Sequence, residues 1–526
     1  MRKLKLISFH LAFLFSQITI GQYDIGGISV EFSEIHGMRD YDGYLGFAKG
    51  QINDFFLLGF ESGDYKCEWF DSSLASKRVF SFKPAIKGES IHYFDIYGLN
   101  DEVYVFGLYQ QKGKERTEVF YRKFNRDSLR FEEKVVFDSS LVREDLRLID
   151  YNVFLIFSAD SSKLLVFQDV MDFSGKNDRV VMHVFDRDWT LVWGDYLVMP
   201  HDRILTNKLQ AEVNSDGTVY VLSKINEPPT DTDTEVSLRH YFELEVYSKN
   251  KRNTSYITLG NRIISDARFQ LAGEEQAAIG GYYTYENKNT MAGVFALRID
   301  LKAQKVLEES VVDFQAEFMA QHEPKSKRKK IIKKATRKDH FEFDNYDVQS
   351  VLVESDGGLT IIGERFFSYV TTGTSQFARQ ALTEHFYLGN ILITHFTPEL
   401  NARWMELIPK SQYMLNSLEN RASFSTVRSD LATFFIFNDH QKNLYYKNSG
   451  SLYQWSSNTA NSEITVARIT AEGRYNKGIL PDTFEERWMI NTAFTRSISS
   501  NQFVLQMMRN SEQRVAVVTI EESSLW

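Results

Sequence analysis

Side chains able to hold a metal, an anion or a flat ligand fall in a few stretches of this chain. Asp231, Asp233 and Glu235 alternate in EPPTDTDTEVS, a spacing at which carboxylate oxygens ligate calcium in helix–loop–helix sites. Such a loop also needs glycine at its sixth position and an acidic residue at its twelfth. Here those positions hold Val236 and Phe242, so the triplet reads as a solvated acidic loop with only a weak claim to a metal. Nine Lys and Arg side chains crowd into residues 325–338, KSKRKKIIKKATRK. Their repulsion favours a solvated, partly disordered loop; the alternative is a helix that sets Ile331 and Ile332 against the rest of the protein. Lys329, Lys330, Lys333 and Lys334 are then the candidates to meet an anionic surface.

Aromatic side chains concentrate in two further stretches. Residues 368–389 bring Tyr369, Phe386 and Tyr387, and residues 440–463 bring Tyr445, Tyr446, Tyr453 and Trp455. Flat rings give a large contact area for little side-chain entropy and suit sugars, peptides or a protein partner. Packing of the same rings onto the underlying scaffold is an equally good account of them.

Catalytic signatures are not found. Nothing matches a nucleophile elbow, a phosphate-binding loop, a dinucleotide fingerprint or a zinc-protease helix. The eleven histidines are scattered, and His183 and His395 occupy equivalent places in a repeat, which points to structural roles. No cofactor is implied.

The elements that must position these stretches form that repeat. Residues 152–200 read as four short strands: two apolar runs around Asp160-Ser161, a loop, then a hairpin pivoting at Phe185-Asp186. Equivalent first turns occur at Asn53-Asp54, Asn100-Asp101, Asp216-Gly217, Gly273-Glu274, Asp356-Gly357, Ser429-Asp430 and Ser500-Asn501. Asp, Asn, Ser and Gly tolerate the tight backbone of a hairpin turn between runs of β-formers. Trp193 and Trp404 each lie eight residues after the matching Phe185 and Phe396. Sheets with both faces apolar must stack on neighbours, and closed radial stacking hides their edges. The expectation is an all-β chain, a β-propeller of about eight four-stranded blades, with seven as the alternative. The eighth unit stops one strand short, while residues 27–35, GISVEFSEI, form a strand with no unit of its own. That N-terminal strand is expected to complete the last blade. The segment FSADSSKLLVFQD resembles the repeat of TolB-type and related bacterial propellers, a resemblance that implies a fold class and no activity.

Insertions fall at 226–240, 368–389 and 440–463, between second and third strands, and at 314–346, between the fifth and sixth units. In a propeller all four lie on one face, where long loops on a rigid scaffold carry binding.

Address and charge complete the reading. Arg2, Lys3 and Lys5 precede an apolar run from Leu6 to Phe15, and Thr19 and Gly21 suit a cleavage site before Gln22. Residues 1–21 therefore read as a secretory signal peptide, leaving residues 22–526 as one propeller domain without a transmembrane segment. Cys67, the single cysteine, excludes an intramolecular disulfide. Of the net charge of −9, the leader and residues 325–338 contribute twelve positive charges, so the remaining body carries about −21. Such a body does not suit nucleic acid. The expected role is a monomeric exported binding or scaffold protein, in the periplasm or at the cell surface. Its partner on the inserted face would be a protein, a glycan or an anionic envelope component. The rival is a hydrolase or lyase acting on glycans or peptides, for which carboxylates or histidines should gather in the mouth of that face.

Overall fold

The structure, a computed structural model, describes residues 27–521 except 35, 38–40, 51–53, 62, 87–88, 111–115, 143–151, 171–176, 228–238, 250, 286–289, 338–339, 376–377, 419, 430, 447–450, 458–459, 484–485, 500 and 511. The leader at 1–21 and the acidic triplet Asp231, Asp233 and Glu235 lie outside the described residues.

Runs of alternating β-formers pair with their sequence neighbours. Blade 1 takes Tyr41–Lys49, Phe55–Glu61, Asp64–Phe70 and Ser76–Phe82 in that spatial order, every pair antiparallel. The same meander recurs at residues 89–142, 152–202, 206–257, 263–313, 346–408 and 425–479. The eighth sheet runs from a broken inner strand, Met489–Ile490 and Arg496–Ser497, through Gln502–Arg509 to Glu512–Ile520. Its fourth strand is Ile28–Phe32, in register from Ile28 opposite Ile520 to Phe32 opposite Ala516.

Period-two alternation sends successive side chains of one strand to opposite neighbours. In Ala432–His440, Phe434 and Ile436 join a core shared with blade 8, while Phe435 and Phe437 join one shared with blade 6. Further shared cores join blades 1 and 2 (Phe56, Tyr93), 2 and 3 (Leu108, Leu164), and 3 and 4 (Val184, Val219). Others join 4 and 5 (Phe242, Phe269) and 5 and 6 (Val294, Ile361). Phe47 and Leu57 of blade 1 pack with Val504 and Val517 of blade 8, which closes the circle. The chain is an eight-bladed β-propeller sealed by its N-terminal strand.

Turn chemistry follows the sequence. Asn100, Asp101, Ser161, Gly217, Gly273 and Gly357 all take positive φ, where Asn, Asp and Gly are least strained. The two equivalent tryptophans become struts between blades. Trp193 donates its indole N–H to Gly217 O at 2.7 Å, and Trp404 donates to Ala471 O at 3.0 Å. His183 bonds Asp138 at 2.7 Å inside the scaffold, and His395 stacks on Trp404 with ring centroids 5.2 Å apart, in keeping with structural roles.

Inner strands of adjacent blades sit side by side without a ladder, and side chains supply the missing bonds. Gln210 of blade 4 clasps both the N–H and C=O of Phe269 in blade 5, at 3.1 and 2.7 Å. Glu212 accepts from Leu271 N at 3.0 Å. Blade 5 treats blade 6 likewise, with Asp266 on Val348 N at 2.7 Å and Gln270 on Val353 N at 2.6 Å. Burial pushes the Glu212 carboxyl up to about 7 from its ordinary 4.5. A carboxyl raised in the folded state favours folding below pH 4.5, and that contribution is lost as pH rises through about 7. The E212Q variant is therefore expected to match the wild type near pH 4.5. Above pH 7 it should exceed it by about 3 kcal/mol, read as a denaturation midpoint against pH. A constant difference across that range would contradict this assignment.

Candidate functional site

Blade 6 departs from the repeat. Its second and third strands, Leu359–Ser375 and Ala378–Phe396, extend far past the blade as one paired hairpin. The described part of residues 368–389, expected as an inserted loop, is thus a continuation of the sheet. The reason is local: residues 366–375, FFSYVTTGTS, hold aromatic, β-branched and small side chains with no proline or charge. A short strand, Gln412–Leu415, pairs with the outer side of the hairpin, setting Tyr413 beside Tyr387 and Leu415 beside His385.

The two faces of this hairpin differ. Phe366, Phe386, Leu388 and Met414 turn to a satellite core around Trp455, which is fully buried and donates its indole N–H to Ser462 Oγ at 2.8 Å. Trp455 is accordingly corrected from a binding candidate to a core residue, and Phe386 is half-buried against it. The opposite face carries stacked aromatic rows. Tyr369 lies on His385 with centroids 4.4 Å apart and planes at 9°, and Tyr387 lies 4.8 Å from Tyr413. His385 Nδ1 meets the Tyr413 hydroxyl at 2.7 Å. Phe367, 58% exposed, caps the row beside Tyr387. Hydrogen bonding to the Tyr369 phenol pushes the Tyr387 phenol up to about 12.

Between blades 5 and 6, residues 325–338 were expected to favour a solvated loop. They form instead a helix, Lys325–Ala335, with Lys333 and Lys334 in its last turn, where cations suit the helix dipole. Glu323, just before it, holds the segment down through Lys327 at 3.1 Å and Arg365 at 2.7 Å. Ile331 packs on the core shared by blades 5 and 6. Lys329, Lys330, Lys333 and Lys334 are all exposed. The 440–463 segment turns back over this insertion: the Tyr446 ring lies 5.8 Å from that of His322, and its hydroxyl donates to His322 O at 3.4 Å. Asn443 fixes that segment by bonds to Asp439 and to the backbone of Tyr453. Tyr445 and Tyr453 remain half exposed.

Three of the four insertions therefore meet around one cleft of about 920 Å³. His322–Pro324, Asp344 and Asn345 form one wall, residues 366–369 and 387–389 another, and Ser451 and Leu452 close an end. The fourth insertion, 226–240, is described only at its ends. Charged groups along the cleft are engaged with one another. Arg365 pairs with Glu323 and Asp344. On the floor, Lys410 Nζ lies 2.5 Å from Glu364 Oε1 and donates to Gln412 Oε1 at 2.9 Å, while Ser423 donates to the second Glu364 oxygen at 2.6 Å. Burial holds the Lys410 ammonium below its ordinary range. Flat aromatic rows thus stand beside charges that are fixed by their partners. Sequence reading missed Phe367 and His385, which lie two residues from the flagged Tyr369 and Tyr387, and Tyr413, Lys410 and Glu364, for which no sequence signal exists.

Among the described residues no group of His, Cys, Asp and Glu could hold a metal, and no helix is long and apolar enough to cross a membrane. No family model and no curated protein matches the chain. Among solved structures it is similar to Sqt1 of Chaetomium thermophilum, a structure bound to the N-terminus of ribosomal protein L10. That match has 10% identity and a TM-score of 0.41 over 93% of this chain and 98% of that one. It is also similar to the WD40 domain of SCAP from fission yeast, at 11% identity and a TM-score of 0.35 over 96% and 99%. The β-propeller domain of the Trilobed protease of Pyrococcus furiosus matches at 8% identity and a TM-score of 0.35 over 86% and 96%. The propeller assignment rests on this chain's own strand pairing and interblade cores.

Proposed function

We propose that the chain is an exported binding propeller of the cell envelope, with the cleft and aromatic rows of blade 6 as its interaction surface. The observation that carries this reading is the exposed aromatic face of the extended hairpin, set beside a cleft on which three insertions converge. The ring supplies a rigid frame, and large rings held in stacked rows meet a partner without further ordering. Partners of this surface are a protein, a glycan or an anionic envelope component, and the basic helix at the rim adds long-range attraction for acidic ones.

The test places a photoreactive phenylalanine analogue at Phe367 and irradiates intact cells. Specific adducts are expected from Phe367 and not from Leu191, an exposed residue of blade 3. The pair F367A and Y387A should reduce affinity for the adduct partner by roughly 2 kcal/mol or more, as expected for central aromatic anchors. Mature protein should begin at Gln22. Equal adduct patterns from the two positions, or retention of the leader in the cytoplasm, would remove this reading.

A further inference from the structure

The extended hairpin leaves one strand edge open. Leu359–Ser375 pairs with Tyr346–Val353 only as far as Arg365, which lies opposite Tyr346, whereas its pairing with Ala378–Phe396 continues to Ser375. Along residues 366–375 the outer side of this strand has no ladder partner among the described residues. Alternate residues of such an edge point both N–H and C=O outward, a row of hydrogen-bonding groups at a fixed repeat. Natural sheets usually blunt such edges with lysine, proline or an inward charge, and FFSYVTTGTS contains none of these. Residues 367–372 are all exposed.

The cleft reaches the first residues of this edge. Phe366, Phe367, Ser368 and Tyr369 line it on one side, and Glu323, Pro324 and Asp344 stand across it. Because the chain enters blade 6 at Tyr346, the open lane prolongs the line of Tyr346–Val353. At its rim Pro324 opens the basic helix, whose Lys325, Lys327, Lys329, Lys330, Lys333 and Lys334 are exposed.

We infer that the cleft takes an extended acidic peptide segment of a partner protein, added as an extra strand on residues 366–372. This rests on the binding role proposed above and specifies its mode. An outward row of backbone donors and acceptors is matched by another extended polypeptide. Seven residues at about 3.3 Å each span about 23 Å, so a segment of roughly six to eight residues fits. Every second side chain of the guest faces the rows of Phe367, Tyr369 and Tyr387, which selects apolar or aromatic residues there. Acidic residues at one end meet the helix. A second copy of this chain is the poorer occupant, since its own edge segment, FFSYVTT, carries no acidic residue to meet the helix.

The probe is a displayed library of random linear decapeptides, panned against the full-length chain. Enrichment of alternating apolar sequences with Asp or Glu at one end is expected. The synthetic consensus peptide should protect the amides of residues 366–372 from hydrogen exchange. Methylating its amides at alternate positions should weaken binding at least about tenfold in one register and little in the other. Changing Lys329, Lys330, Lys333 and Lys334 to Gln should cost roughly tenfold at low salt and flatten the salt dependence. Ser368→Pro and Tyr369→Pro remove neighbouring N–H groups, one outward and one in the ladder. The variant that keeps the hairpin folded should lose peptide binding. No enrichment, or binding indifferent to methylation in both registers, would overturn the inference. So would a dimer by light scattering with residues 366–372 already protected. Adducts from Phe367 without amide protection would uphold the binding role and remove strand addition.

Discussion

Deleting residues 27–32 behind an intact leader is expected to unfold blade 8 while blades 3 and 4 stay protected. The deletion removes a five-residue ladder from Ile28 opposite Ile520 to Phe32 opposite Ala516. It also removes a clasp in which Ser33 N donates to Val515 O and Val515 N donates to Ser33 Oγ, both at 2.9 Å, by displacing the strand that leads to Ser33. Each lost hydrogen bond costs about 1 kcal/mol net, and the exposed edge of Glu512–Ile520 gains nothing in exchange. Ile28 belongs to the core between blades 7 and 8, with Val30 and Phe32 packed against it. Phe32 further lies under the Arg514 guanidinium, 3.7 Å from ring centroid to Cζ. Burial of Ile28 is worth roughly 1.5–3 kcal/mol, and the partly buried Val30 and Phe32 add smaller amounts. The total is on the order of the whole stability of an ordinary domain. Because blade 8 also carries the core that meets Phe47 and Leu57, loss should spread to blades 7 and 1 first. Hydrogen exchange reads the order directly: Gln502–Arg509 and Glu512–Ile520 should lose protection, and Val219–Asn226 should keep it. Unchanged exchange in blade 8 would refute closure by the N-terminal strand.

Closure was legible in the sequence because it was a matter of arithmetic on strands. The eighth unit lacked one and residues 27–35 supplied one, and the Asp, Asn and Gly turns fixed where each unit began. The extended hairpin was harder to see. Only its base, at Phe366, Phe386 and Leu388, turns to a core, while residues 367–372 are exposed and mix threonines with rings, and a stretch without a clean apolar face reads as a loop. Trp455 illustrates the opposite error. An aromatic in a polar stretch reads as surface, yet backbone bonds between Trp455 and the pair Ser411 and Tyr413 carry it under the hairpin. The basic helix turned on partners distant in sequence, since Arg365 anchors Glu323 from another strand. Composition alone records only the repulsion among its lysines.

The buried pair on the cleft floor is the least legible feature and has the second large predicted effect. Glu364 ends the blade-6 part of its strand, and Lys410 follows Pro409 after the outer strand; their side chains are 2% and 0% exposed. Gln412, which accepts from Lys410, also bonds Ser423 and Asn438, so the network ties blade 6 to blade 7. Removing one partner strands the other charge away from water, at about 3–5 kcal/mol. Replacing both by apolar residues of similar size removes the stranded charge, so K410M with E364M together should cost much less than the two single changes added. The two single variants should also respond oppositely to pH. In E364M the ammonium keeps neutral partners such as Gln412 Oε1 beside it, and its folded-state proton affinity, already lowered by burial, falls further below the unfolded value. The loss is then full at low pH and shrinks as rising pH lets Lys410 shed its proton. In K410M the stranded group is a carboxylate, so the loss should shrink as acid neutralises it. Urea midpoints at pH 5, 7 and 9 for the four proteins separate these trends. Additive, pH-independent losses would show that Lys410 and Glu364 act through packing alone, and that the floor of the cleft is not held by their charge.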